Sequence, residues 1–258
     1  MDLGLQGRRA LVLGSSSGLG KAIAARLAAE GARVVVAGRD ETRLKQTLED
    51  VGAAGMMAGD LTCEGEAVRI VETSARALDG LDILVVNTGG GAPGGLGASS
   101  STSRQNAYMS MLRPALDAAL AAAPWLRAAG SGRLLFVAAR TVVEASTELA
   151  LSSVFRSGIV AAARSLALEL APDVLVNVIV PGRFDTPAYH RFRSFLAKKD
   201  GSTEQEISER HLAGVPLGRL GRAEELADTA AFLCSQRAAY ITGTLIRVDG
   251  GATAGFGS

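Results

Sequence analysis

Short runs of apolar, largely β-branched residues alternate along the chain with longer stretches in which apolar positions recur every three or four residues. "RRALVLG" (8–14), "ARVVVAG" (32–38), "LDILVV" (81–86), "GRLLFVA" (132–138), "VLVNVIV" (174–180) and "TLIRVD" (244–249) read as strands, and a shorter one near "AGMMA" ends at Asp60. Helices are predicted between them over 20–31, 41–51, 64–78, about 104–129, about 149–171 and 222–235. Ile23 and Leu27 stand one turn apart in the first, with Gly31 as its stop, and Leu44, Leu48 and Val51 form the apolar face of the second. This alternation predicts a parallel sheet of about seven strands with helices on both faces. Near-continuous apolar strands agree, since each would be covered twice. Neither a repeat nor a linker divides the chain, so 1–258 is read as a single doubly wound α/β domain.

Composition narrows the function classes. At 258 residues and 48% hydrophobic, the chain can bury a substantial core. A net charge of +1 gives no broad pull on nucleic acid or an anionic membrane, so neither is expected as a partner. Runs such as "ALVL" and "LVNVIV" are far too short to span a bilayer, and "MDLGLQGRR" lacks the order of a signal peptide. Cys63 and Cys234 are isolated and read as reduced core residues, which fits a cytoplasmic protein. No metal is expected. The Gly/Ser-rich "TGGGAPGGLGASSSTS" (88–103) reads as a mobile surface loop, placed where ligands bind beyond the carboxyl end of a central strand. The charged stretch 189–214 reads as a solvated amphipathic pair or as a substrate lid around 183–215. Its basic residues with Arg183, namely Arg191, Arg193, Lys198 and Lys199, leave an anionic or carrier-linked substrate open.

"LGSSSGLG" (13–20) follows the first strand and opens the first helix. Glycines there let the backbone approach a pyrophosphate, and the helix N-terminus offers free N–H groups. Gly14, Ser16, Ser17, Gly18, Leu19 and Gly20 are therefore candidate cofactor contacts. The wide gap between the first two glycines resembles the short-chain dehydrogenase/reductase family. Further segments resemble that family in order: "GDLT" with Asp60 and Leu61, "VVNTGG" with Asn87 and Gly89, and "NVIVPGRFDTP" with Pro181, Gly182 and Thr186. The block 216–251 matches in style the β-ketoacyl-acyl-carrier-protein reductase-like members. The resemblance implies a Rossmann-type fold, a nicotinamide cofactor, a small carbonyl or alcohol substrate that is carrier-linked in some members, and a homo-tetramer or homo-dimer. The second strand ends in Gly38 and Arg39 instead of an acid, and a guanidinium forks onto a phosphate, so NADP(H) is expected over NAD(H). Asp40 beside it and Ser17 in the turn argue the other way.

The family's chemistry, by the same resemblance, rests on Asn, Ser, Tyr and Lys. Counting back from "ELAP" puts Ser152 at the tyrosine position and Arg156 at the lysine position. Ala139 takes the serine position and Met111 the asparagine position, so the whole set is replaced. Ser152 and Arg156 are the candidate catalytic residues, with Arg156 also a candidate for holding the nicotinamide ribose. Thr141, Glu144, Glu148, Ser153, Tyr189 and His190 are further polar candidates, each with a solvated or packing reading beside it. Three functions follow: an oxidoreductase with a non-standard proton donor, a nucleotide-binding pseudoenzyme with a regulatory or assembly role, or a lyase or isomerase on the same scaffold.

Overall fold

Every strand predicted from an apolar run forms: the inner ones carry β-branched or large apolar residues that helices cover on both faces, and the two edge strands are partly buried. The computed structural model describes residues 2–254. The strands are β1 (Arg9–Val12), β2 (Arg33–Gly38), β3 (Gly55–Ala58), β4 (Ile83–Val86), β5 (Gly132–Val137), β6 (Val174–Pro181) and β7 (Leu245–Val248). They build one seven-stranded sheet in the order β3-β2-β1-β4-β5-β6-β7, parallel throughout. The order reverses between β1 and β4, and the crevice beyond their carboxyl ends is where ligands bind in such sheets.

One face is covered by α3 (Glu66–Leu78), α5 (Arg113–Ala128) and α6 (Ala150–Glu169), whose Ile70, Ala118 and Ile159 share a core with Leu84, Phe136 and Val178. The other is covered by α1 (Gly18–Ala29), α2 (Glu41–Val51) and α9 (Ala223–Cys234), where Ile23, Leu44 and Leu226 pack on Val12 and Ile179. The 189–214 stretch folds as two helices, α7 (Pro187–Asp200) and α8 (Glu204–Ala213). Gly201 stops α7 in the left-handed region, and a Thr203/Glu206 capping box starts α8.

Four sequence expectations are revised. The helix expected over 104–129 begins earlier, at α4 (Ser101–Ala107), because Ser100 caps it by accepting from Ser103 N at 3.0 Å. It then widens into a π-helical turn, Tyr108–Leu112, before α5. Pro114 has no N–H for the carbonyl four residues back, which accounts for the change of register. The Gly/Ser-rich segment is partly pinned: Gly94 N donates to Glu148 O at 2.6 Å and Gly94 O accepts from Ala150 N at 3.2 Å, so it docks on the entry to α6. Cys63 is exposed, and only Cys234 is core; burial pushes that thiol up to about 12. Finally, α6 is by itself long and apolar enough to cross a membrane, yet its Ile159, Ala163 and Leu166 are buried in the core beside β5 and β6.

Candidate functional site

The turn between β1 and α1 is built by close backbone contact. A Cβ on Gly20 would lie 2.2 Å from Gly14 O, and one on Gly14 would lie 2.3 Å from Asn87 O. Asn87, just past β4, donates its Nδ2 to Gly14 O at 3.0 Å and ties the turn to the centre of the sheet. Ser15 locks it from below: its fully buried Oγ donates to Val12 O at 2.8 Å and accepts from Ala37 N at 2.9 Å. Sequence reasoning passed over Ser15; a serine inside a glycine turn carries no sign that its hydroxyl points down into the sheet. Ser17, the N-cap of α1, makes no side-chain cap, so the first-turn N–H groups are left for an anion.

The other candidate contacts surround this turn. Ser16 Oγ would touch a Cβ on Gly38 at 3.2 Å, which sets it at the end of β2 beside Arg39. The Arg39 guanidinium is largely exposed and lies 4.0 Å from Asp60. Burial raises the Asp60 carboxyl, but two bonds from Thr62 and the charge of Arg39 outweigh it and hold the group below its usual range. Leu61 packs at the rim of the core. Gly18 meets Thr186, whose methyl would lie 3.7 Å from a Cβ at Gly18, so the two distant motifs converge. Thr186 Oγ1 also caps α7 by accepting from Tyr189 N at 3.3 Å. Pro181 ends β6, and Gly182 leaves room for β7, since a Cβ there would lie 2.6 Å from Asp249 Cα.

At the positions that the sequence resemblance gives to the catalytic set, the side chains fall into a polar part and an apolar part. Ser152 Oγ and Thr141 Oγ1 lie 3.0 Å apart, joining the start of α6 to the short turn after β5. Thr141 is buried and Ser152 partly so. One turn further along α6, on the same face, the buried Arg156 donates to Val137 O at 3.0 Å, Gly89 O at 2.9 Å and Thr88 O at 3.4 Å. Burial pushes this guanidinium down to about 10, while its three carbonyl acceptors favour the charged form, so it is a cation at neutral pH. It bridges the ends of β4 and β5, the two strands whose tips carry Asn87 and Ala139. Met111 is fully buried in the π-turn and packs with Ala107, Leu151 and Phe155. That turn therefore has an apolar filling at the position read from the sequence as the family's asparagine.

The β6–α7 connection closes the site on its far side. Tyr189 and His211 are both buried, with Tyr189 Oη 3.3 Å from His211 Nδ1, and the imidazole stacks on Phe192 at 9°. His190 instead points out and pairs with Asp185 at 2.7 Å, which removes it from the site. Burial first, then the charges of Arg183, Arg140 and Arg210, push His211 from 6.5 down to about 4. The fold thus holds His211 neutral, and that preference stabilises it fully above about pH 6.5 and is lost as pH falls towards 4. His211→Gln keeps a polar partner for Tyr189 without the titration. Thermal melts should show the parent losing up to about 3 kcal/mol more than this variant between pH 7 and pH 4; equal losses would refute the assignment.

Comparison with known proteins places this arrangement. A family model described as enoyl-(acyl carrier protein) reductase matches residues 14–253. The NADPH-dependent reductase BacG of Bacillus subtilis is 30% identical over 252 residues, covering 95% of this chain and 97% of that one. The 3-oxoacyl-[acyl-carrier-protein] reductase FabG of Aquifex aeolicus is 30% identical over 269 residues, covering 97% and 99%. The crystal structure of L-sorbose reductase from Gluconobacter frateurii, complexed with NADPH and L-sorbose, superposes with a TM-score of 0.92 at 30% identity, covering 99% of this chain and all of the other. Since these matches run through the glycine turn, the Asn87 strand end and the α6 face alike, the chain belongs to the short-chain dehydrogenase/reductase family.

Proposed function

We propose that this protein is an NADP(H)-dependent oxidoreductase that reduces a small carbonyl compound, or oxidises the alcohol, with hydroxyls in place of the usual tyrosine. The observation that carries the proposal is the Ser152–Thr141 pair at 3.0 Å, standing at the tyrosine position next to an intact nucleotide edge. The cofactor fits that edge: an uncapped α1 N-terminus for the pyrophosphate, close-packed Gly14 and Gly20, and Arg39 at the end of β2. NADPH dependence in BacG and bound NADPH in L-sorbose reductase agree. Gly14, Ser16, Ser17, Gly18, Leu19, Gly20, Asp60, Leu61, Asn87, Gly89, Pro181, Gly182 and Thr186 are assigned as its contacts. Arg39→Ala should weaken NADPH by about tenfold or more and NADH little, since a charged hydrogen bond to phosphate is lost; equal weakening in fluorescence titrations would remove Arg39 from phosphate recognition.

Bound there, NADPH supplies the hydride for carbonyl reduction. The chain's own part is the proton. Ser152 Oγ–H donates to the carbonyl oxygen, Thr141 Oγ1–H replaces that proton, and water restores Thr141. Serine is a weak acid, so this route accelerates less than a tyrosine beside lysine. Arg156 compensates in part: a buried cation one turn away stabilises the negative charge growing on that oxygen. NADPH loss followed with ketones, 2-oxo acids and β-ketoacyl thioesters tests the reading.

A second reading, a nucleotide-binding chain without turnover that regulates or assembles with another protein, is favoured by the apolar cluster of Met111, Ala107, Leu151 and Phe155. No proton path can run through that cluster. We further assign a cytoplasmic location, on the unpaired cysteines, and a homo-dimer or homo-tetramer. The exposed Leu120 of α5 and Val154 and Leu168 of α6 support self-association through this helix pair. The α7–α8 pair is assigned as the lid over the substrate.

A further inference from the structure

Arg183 directly follows Gly182 at the end of β6 and is half-buried. Among the described residues it makes no side-chain hydrogen bond and no salt bridge. The other arginines without such a partner among the described residues, Arg164 and Arg191, are exposed. Charged groups surround Arg183 from several elements: it lines a cavity with Arg219, Glu225 and Asp249, and further neighbours lie on two more segments. Arg140, Glu144 and Glu148 lie on the segment between β5 and α6, and Tyr189 lies on α7. Behind Tyr189 stands the neutral His211. Arg140 is already held by Glu144 at 2.5 Å, and Glu148 makes no ion pair among the described residues. The fold therefore keeps a partly desolvated guanidinium without an acid in contact and beside a second cation, a costly arrangement that an incoming anion relieves. Burial and the nearby Arg140 both push Arg183 below its ordinary range, in keeping with that placement.

Position tells what the anion belongs to. Arg183 follows β6 and Arg140 follows the neighbouring strand β5, directly before Thr141, so both arginines stem from segments beside the hydroxyl pair. An anion bound here lies a few bonds from the carbonyl. The phosphate of a carrier arm is many bonds away from its thioester, whereas the carboxylate of a short oxo acid is at the right remove. A planar carboxylate also matches the guanidinium fork.

We infer that Arg183, with Arg140 beside it, binds a carboxylate on the substrate, so that the carbonyl compound reduced is a short oxo acid. This rests on the reductase reading above and names its substrate class. The probes are pyruvate, 2-oxohexanoate and benzoylformate, each paired with its methyl ester, titrated calorimetrically into the protein with and without NADPH. At least one acid should bind about tenfold or more tightly than its ester, the effect of one charge-assisted hydrogen bond. Arg183→Gln should erase that preference, and Arg183→Lys should keep part of it. The preference in the unaltered protein stands as evidence even if a variant fails to fold. Acids binding no better than their esters, no acid binding, or a preference that survives in folded Arg183→Gln overturns the inference. Failure of NADPH to bind while the acid preference persists would instead overturn the reductase reading and leave the anion site standing.

Discussion

Ser152→Ala should lower kcat for carbonyl reduction by about 10²–10³-fold while the NADPH affinity stays unchanged. The size follows from what is lost. Positioned proton donation is worth roughly 10²–10⁴ in rate, and a serine–threonine relay sits towards the lower end because neither hydroxyl is acidic. Among the described residues the Ser152 side chain bonds only to Thr141, so removing it takes nothing from the nucleotide edge. Thr141→Val should give a similar loss, and the double variant should be no worse than either single one, as expected when two residues act as one unit. Single-turnover rates at saturating NADPH separate this from altered binding. Full activity in Ser152→Ala would take both hydroxyls out of the mechanism.

Arg156→Met should be the most destabilising single change at the site. The guanidinium satisfies the carbonyls of the buried Val137 and Thr88 and of the exposed Gly89, at the end of β5 and just past β4. Methionine fills the volume but leaves the two buried acceptors bare, at about 1–3 kcal/mol each before relaxation. A total near 3–5 kcal/mol corresponds to about a 10 °C fall in Tm for a chain of this length. Arg156→Lys should recover only part, because one ammonium on a flexible stem does not span two strand ends as a planar fork does. A Tm within a degree or two of the parent for Arg156→Met would show that the carbonyls find water instead, and that Arg156 serves a ligand.

Much of this was legible in the sequence, for reasons that differ by element. The strands announce themselves because a two-sided burial demand leaves unbroken apolar runs such as "LVNVIV". The nucleotide turn is legible because close backbone approach leaves only glycine at positions 14 and 20. The replaced catalytic set could be counted out because α6 runs without a gap from Ser152 to its end. What could not be read were relations between distant backbone and side-chain atoms. The sequence offers Arg156 for a ribose but gives no sign of its bonds to three main-chain carbonyls, groups that every residue possesses and no pattern marks. The Thr141–Ser152 contact spans eleven positions across a turn and an irregular segment. The π-turn at 108–112 shifts a register that simple periodicity takes as constant. Arg183 looked like one of five basic residues near a lid, and only its half-burial without a partner sets it apart.

The most direct test of the central claim is a single-turnover reaction with NADPH deuterated at the nicotinamide C4 transfer position. The alcohol product is analysed by mass spectrometry, with the parent protein and Ser152→Ala run side by side on the ketone, oxo acid and thioester series. The account predicts deuterium at the former carbonyl carbon with the parent protein, appearing at least about a hundredfold more slowly with Ser152→Ala. NADPH that binds tightly yet delivers no deuterium to any of these carbonyls would contradict it and leave the chain a nucleotide-binding protein without turnover.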